Sequence, residues 1–366
     1  MARLGNTIDR IFLIYIIIIT VFGLGALTSA SGPLAYGKFH DSYFFVKRQI
    51  IFGLIPGLIL GYFLSKFDFE KWRKVSWLPY VVSVFLLLLV FIPGIGTVIN
   101  GARSWINIFG FNFQPAEVAK LGLIIFASYL LSDRKRNLQD WQMGLLPILT
   151  LLSPVVILIL LQPDIGTLSI MLVILFGMLF EAKVPKKYLA VLGFLALAAF
   201  AVLVFIKPYR LQRITIFMHP ELDPKGIGYQ INQAFLAVGS GGFWGLGVGQ
   251  SRQKFQYLPE VNSDSIFAII AEETGFVISA SLIILIMLIG LQGLKIAKNA
   301  TSEFGRLLAT GIVVWLGWQS FLNIGAMVGV LPLTGVPLPF ISHGGSALMA
   351  ELAAVGLMLN ISKKEV

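Results

Sequence analysis

Stretches of about 20 consecutive apolar residues recur along this chain, beginning with IFLIYIIIITVFGLGALTSA at residues 11–30, and each is long enough to cross the hydrocarbon core of a bilayer as a helix. About ten such stretches can be drawn, at 11–30, 46–64, 77–96, 114–131, 143–161, 166–182, 187–206, 265–291, 307–330 and 340–360. With 57% hydrophobic and only 13% charged residues, against the roughly 25% charged of ordinary soluble domains, the chain has too much apolar surface to bury in a soluble fold. The expected fold class is therefore an all-α polytopic integral membrane protein, one transmembrane domain spanning 1–366. The first run is longer than the h-region of a signal peptide and is followed by further spans, so it reads as a retained helix.

Basic residues in the short loops set the orientation. With the N-terminus inside, Lys66, Lys71, Arg73, Lys74, Arg134, Lys135, Arg136, Lys183, Lys186, Lys187, Lys295, Lys298 and Arg306 fall on the cytoplasmic side, and Arg3, Arg10, Lys363 and Lys364 flank the two ends. The short outside loops hold only Lys38, Lys47, Arg48 and Arg103. Both termini are expected to be cytoplasmic. The net charge of +10 is accounted for by this asymmetry and by contact with anionic lipid, and it does not call for nucleic acid. Absence of cysteine excludes disulfides, thiolate metal sites and cysteine nucleophiles, and the three histidines (His40, His219, His343) are scattered.

One long outside segment, 207–264, separates the seventh and eighth spans. Loops of this length are commonly functional. Its glycines at 239, 241, 242, 245, 247 and 249 invite a phosphate cradle, but neither a GxGxxG nor a Walker pattern is present; a tightly turning or re-entrant loop explains them equally. Its Lys207, Arg210, Arg213, Lys225, Arg252 and Lys254 suit either an anionic, lipid-anchored substrate or lipid headgroups.

Ionisable residues inside or at the mouth of spans are the other candidates. Asp264 ends the long loop where the eighth span begins, and it reads either as a helix N-cap or as a general base at the membrane–water boundary. Glu272 and Glu273 lie about two turns deeper and read as cavity lining or partners of a buried cation. Glu117 and Lys120 are spaced for an ion pair on one helix face, structural or cavity-shaping. Glu351 is a further acid within a span, and GVLPLTGVPLPFISHGGSA breaks the last outside turn with proline and glycine.

Taken together, GARSWINIFGFNFQPAEVAKL, QPDIGT, YRLQRI, GIGYQINQAFLAVGSGGFWGLGVGQSRQKFQYLPEVNSDSIFAIIAEETG and NIGAMVGVLPLTGVPLPFISHGGSA resemble, in order and from about Asp9 to Lys363, the SEDS family of bacterial cell-wall synthesis (the FtsW, RodA and SpoVE relatives), slightly closer to FtsW. The resemblance implies a ten-span, GT-C-related fold in the bacterial cytoplasmic membrane and a glycosyltransferase that polymerises lipid II on the outer face. It implies that Asp264 is the catalytic acid of the family's LPE…HTD motif, acting as general base on the acceptor 4-hydroxyl, with inversion and loss of polyprenyl pyrophosphate. Arg103, Arg210, Arg213 and Lys254 are then candidates for the leaving-group charge, and Glu117 and Lys120 match the acid–base pair of QPxExAK. A class B penicillin-binding protein, the transpeptidase, is the expected partner, alongside other divisome or elongasome membrane proteins. The residues assign no cofactor; a divalent cation, Mg or Mn, is compatible with the chemistry but is not readable from them.

Two departures stand out. Asn262-Ser263-Asp264-Ser265 replaces His-Thr-Asp-Phe, removing the family's histidine, and SHGGS replaces SYGGS, placing His343 at the external start of the last helix. The competing readings are a flippase for a lipid-linked precursor and a non-catalytic scaffold for the transpeptidase. No paired interrupted segments in corresponding halves support the former, and the latter leaves Asp264 and the basic loop unexplained.

Overall fold

The computed structural model describes residues 8–99, 102–108, 110–133, 137–206 and 208–363. Arg3, Lys364 and the basic run 134–136, which enter the orientation, and Lys207 of the long outside segment lie outside them. Thirteen helices carry the described chain: α1 Arg10–Phe39, α2 Phe44–Lys66, α3 Phe69–Val75, α4 Trp77–Leu89, α5 Pro115–Ser132, α6 Trp141–Leu161, α7 Ile165–Glu181, α8 Lys186–Ile206, α9 Pro208–Met218, α10 Ile227–Ser240, α11 Ile266–Asn299, α12 Glu303–Met327 and α13 Gly345–Ser362. Eight of them are long and apolar enough to span a bilayer, and α3 with α4, bent by 63°, makes a ninth. The 17-residue apolar α7 completes the ten expected spans.

The start of the first helix meets the end of the last. The Asp9 amide donates to Ser362 Oγ at 3.0 Å, and Asp9 Oδ1 caps α1 by accepting from Phe12 N at 2.8 Å. A first helix that starts where the last one ends requires an even number of crossings, as ten gives.

Two local departures from α geometry have one cause. Ile50–Leu54 in α2 and Trp141–Leu145 in α6 are π-turns, each ending two residues before a proline, Pro56 and Pro147. A proline lacks the N–H for the i−4 carbonyl and its ring crowds that group, so widening the preceding turn lets the span continue.

The membrane domain is helical, as expected, and one short sheet lies between its spans. The third span, expected to reach residue 96, stops at Leu89, where Pro93 and Gly94 (φ +88°) turn the chain. There follow strands β1 Gly96–Ile99, β2 Ala102–Ile108 and β3 Phe111–Phe113, antiparallel in that order, with Thr97 opposite Trp105 and Ile106 opposite Phe113. Aromatic and β-branched residues in SWINIFGFNF favour strands, and the Asn107 side chain ties the turn by accepting from Gly110 N at 3.0 Å.

Burial runs opposite to a soluble protein. The most apolar helices lie outside, with Phe194, Leu197 and Phe205 of α8 exposed as lipid would require. The centre is α5, α12 and α13: the span of α13 is 94% buried and that of α8 only 6%. Polar side chains collect at this centre, among them Glu117, Lys120, Gln319, Asn323 and Glu351. The segment expected as a loop over 207–264 is half helical: α9, one 3-10 turn at Pro220–Leu222 and α10 precede an irregular stretch that ends at Ser265.

Candidate active site

Asp264 stands two residues before α11. Ser265 occupies the N-cap position and no side chain caps that end, so Asp264 is not the helix cap. Its backbone is instead gripped from the far end of the sequence. Three consecutive carbonyls each accept one bond: Asn262 O from His343 N at 2.7 Å, Ser263 O from Ser342 Oγ at 2.7 Å and Asp264 O from Asn323 Nδ2 at 2.8 Å. The same Asn323 nitrogen donates to Val336 O at 2.8 Å. Gln230 of α10 donates to Ser265 Oγ at 3.1 Å, joining the long loop to the same corner.

The Asp264 carboxyl is half-buried, facing Gly335, where a β-carbon would lie 3.7 Å from Oδ2. Burial raises its pKa above the ordinary carboxylate value, and the Ser263 hydroxyl, its own amide and the Arg213 charge oppose that rise. An unperturbed aspartate is a weak base at neutral pH; an aspartate raised by burial is a better one. Glu260 lies in the same field. Burial and the Asp264 charge push its pKa up, and Lys38 pulls it down.

The four basic candidates separate. Arg213 acts on Asp264 by charge and reaches Leu333 O at 3.4 Å. Arg103 lies on β2 and reaches Phe91 O at 3.4 Å. Lys254 is buried, with Nζ 2.7 Å from Glu273 Oε1 and 3.2 Å from Ser29 Oγ. The side chain of Arg210 lies outside the described residues.

Glu272 and Glu273 anchor the loop. Glu272 accepts from Ser251 Oγ, from Arg252 N at 3.0 Å and from Gln253 N at 3.4 Å. Their carbonyls accept from Leu246 N (3.0 Å) and Gly247 N (2.9 Å), and Phe276 N returns a bond to Gly242 O at 2.9 Å. This exchange is open because α11 breaks at Gly275 (φ 71°, ψ −173°). At Gly245 (φ +79°) a β-carbon would lie 2.2 Å from Glu273 O, so the close approach demands glycine. Gly241, Gly242, Gly245 and Gly247 therefore serve the docking of the loop backbone on α11.

Glu117 and Lys120 do pair, at 2.8 Å and nearly without solvent. Lys120 also donates to Gln319 Oε1 at 2.6 Å and lies over the Trp315 ring. Gln319 Nε2 continues to Pro337 O at 3.0 Å, so the pair supports the proline-broken segment beside Asp264 from below.

Sequence reasoning missed Asn323, Ser342 and Gln319. An amide within an apolar span was the available signal for Asn323 and Gln319; Ser342 carried none. The two departures now have places. Asn262 acts through its carbonyl, and His343 through its backbone N–H, its ring lying edge-on against Phe45. Burial, with the Arg48 charge, lowers the His343 pKa to about 4, so the ring is neutral at physiological pH.

These features define a polytopic membrane protein with a half-buried carboxylate fixed at one end of its helical bundle. The model of the cell cycle protein family FTSW_RODA_SPOVE matches residues 9–366, and the chain belongs to that family. It is 41% identical over 355 residues to stage V sporulation protein E of Bacillus subtilis (strain 168), covering 97% of both chains. It is 40% identical over 356 residues to the probable peptidoglycan glycosyltransferase FtsW of Geobacter sp. (strain M18), again over 97% of both. Among solved structures it resembles a chain of a peptidoglycan synthase complex that coordinates polymerization and crosslinking (TM-score 0.77, 30% identity, 97% of each chain). It also resembles the rod shape determining protein RodA of Thermus thermophilus (TM-score 0.73, 30% identity, 98% of this chain and 97% of that one).

Among the described residues no group of three or more His, Asp or Glu side chains is gathered as metal ligands.

Proposed function

We propose that this protein is a peptidoglycan glycosyltransferase that polymerises lipid II into β-1,4 glycan strands, with Asp264 as general base. The observation that carries the reading is the setting of Asp264: three successive carbonyls held from α12 and the 336–343 segment, the carboxyl free of a cap, and Arg213 within electrostatic range. The acceptor 4-hydroxyl gives its proton to the Asp264 carboxylate as its oxygen bonds to the donor's anomeric carbon. The bond from that carbon to the phosphate oxygen breaks, and its electron pair leaves with polyprenyl pyrophosphate. A single displacement inverts an α-linked donor to a β product and needs no covalent nucleophile. Arg213 would stabilise the departing charge, with Arg210 and Arg103 as further candidates.

The site faces the outer side of the cytoplasmic membrane in this reading, because the termini lie inside by the distribution of basic residues. A class B transpeptidase partner is supported by the likeness to a synthase complex. Purified protein with that partner should convert labelled lipid II to glycan, and Asp264→Ala should abolish the product. Normal polymerisation by that variant would sink the general-base assignment. Transfer of lipid II between leaflets with no glycan formed would instead establish the flippase reading.

A further inference from the structure

We infer that Glu351, an acid buried within α13, is a positioning residue for Asp264, acting through the turn at 338–343. Glu351 Oε2 accepts from Phe340 N at 2.8 Å, and the side chain is almost wholly buried. Its other oxygen, Oε1, has no hydrogen-bond partner among the described residues. An ionisable group placed in a span is a functional candidate by default. Glu117 and Lys120 already neutralise each other nearby, whereas Glu351 is committed to a loop backbone.

The turn it holds is strained. Phe340 adopts φ +63°, a left-handed conformation that a large aromatic residue keeps only when its surroundings over-determine it. Leu338 O accepts from Ile341 N at 3.2 Å and Ser342 N at 3.0 Å, and Leu338 N donates to Ser342 Oγ at 2.8 Å. The Glu351 bond to Phe340 N closes this turn from the membrane side. Two and three residues beyond Phe340 come the ones that grip the site: Ser342 Oγ on Ser263 O and His343 N on Asn262 O. Glu351 therefore reaches Asp264 through one rigid turn and two hydrogen bonds. Losing its acceptor would let Phe340 relax, withdraw the grip on 262–263 and admit water to the carboxyl.

This inference rests on the polymerase reading, and the test separates the two. Wild type, Glu351→Gln, Glu351→Leu and Ser342→Ala are assayed on labelled lipid II with the partner transpeptidase, for kcat, KM and pH profile, with thermal unfolding in parallel. Glu351→Leu should lower kcat at least about tenfold with KM within about twofold, and move the acid limb down toward the ordinary carboxylate range as Asp264 is wetted. Glu351→Gln keeps an acceptor oxygen for Phe340 N and should restore both readouts. Ser342→Ala cuts the grip at its far end outside the span and should reproduce the Leu signature, so a Leu variant that fails to fold does not decide the matter. Unchanged kcat and acid limb in Ser342→Ala, or equal loss in the Gln and Leu variants, overturns the inference. Absence of polymerisation by wild type overturns the functional reading itself, and this inference with it.

Discussion

Asn323 donates its side-chain amide at 2.8 Å to the main-chain carbonyl of Asp264 and, from the same nitrogen, at 2.8 Å to that of Val336. One buried amide in α12 thus ties the residue that would take the proton to the proline-broken segment facing it. Asn323→Leu fills similar space and leaves both carbonyls unmet. It should cost about 2–4 kcal/mol of stability and lower kcat more than it raises KM, read by thermal unfolding and steady-state polymerisation.

The acid limb of kcat/KM should follow Asp264, which must be deprotonated to accept the acceptor proton. Its pKa is raised by burial, so activity should rise with pH through a value above the ~3.9 of a free aspartate. The Arg213 charge works against that rise, and Arg213→Gln should shift the limb to still higher pH. A limb that stays put or moves down would remove Arg213 from the site's electrostatics.

Glu117→Gln leaves Lys120 buried without its counter-charge and should destabilise by about 3–5 kcal/mol. The charge swap Glu117→Lys with Lys120→Glu restores an ion pair but sets a carboxylate against Gln319 Oε1, which now accepts from Lys120 and Trp315 Nε1. Turning the Gln319 amide over would forfeit its bond to Pro337 O. The swap should therefore recover only part of the stability and less of the polymerase rate; full recovery of the rate would show that the pair acts alone.

Gly245→Ala should be disabling although it adds one carbon. The residue has φ +79° and its β-carbon would meet Glu273 O at 2.2 Å, so the loop must leave the break in α11. A loss above about 2 kcal/mol is expected, measured by thermal unfolding. Gly249→Ala tests positive φ without a clash, since nothing lies within 4 Å of its β-carbon, and should be the milder change.

His343 predicts a pH dependence of stability. Burial holds its folded-state pKa near 4, below the ordinary ~6.5, so protonation favours the unfolded chain. Its contribution is fully present above pH 6.5 and is lost as pH falls toward 4, by up to about 3 kcal/mol. His343→Phe keeps the packing against Phe45 and should flatten the dependence in that window, seen in unfolding midpoints from pH 7 to 4.

Much of the architecture follows from the sequence alone, because a bilayer makes span length and loop charge sufficient signals. Ten spans, the Glu117–Lys120 pair and Asp264 at a loop–helix junction were all readable. The strands at 96–113 were not: a short sheet between spans gives less signal than the apolar run that precedes it.

What only the tertiary structure decided is which polar groups meet. Three charges of similar appearance in sequence, Lys254, Glu272 and Glu273, are brought to the α11 break and consumed in holding the loop. The backbone of residues 262–264 is instead fastened by residues 59 to 81 positions later, Asn323, Ser342 and His343. Span hydrophobicity is a local property of the chain, and a sequence displays it directly. A hydrogen bond between distant segments depends on how the helices cross and where a proline-broken turn points, and that is settled only by packing.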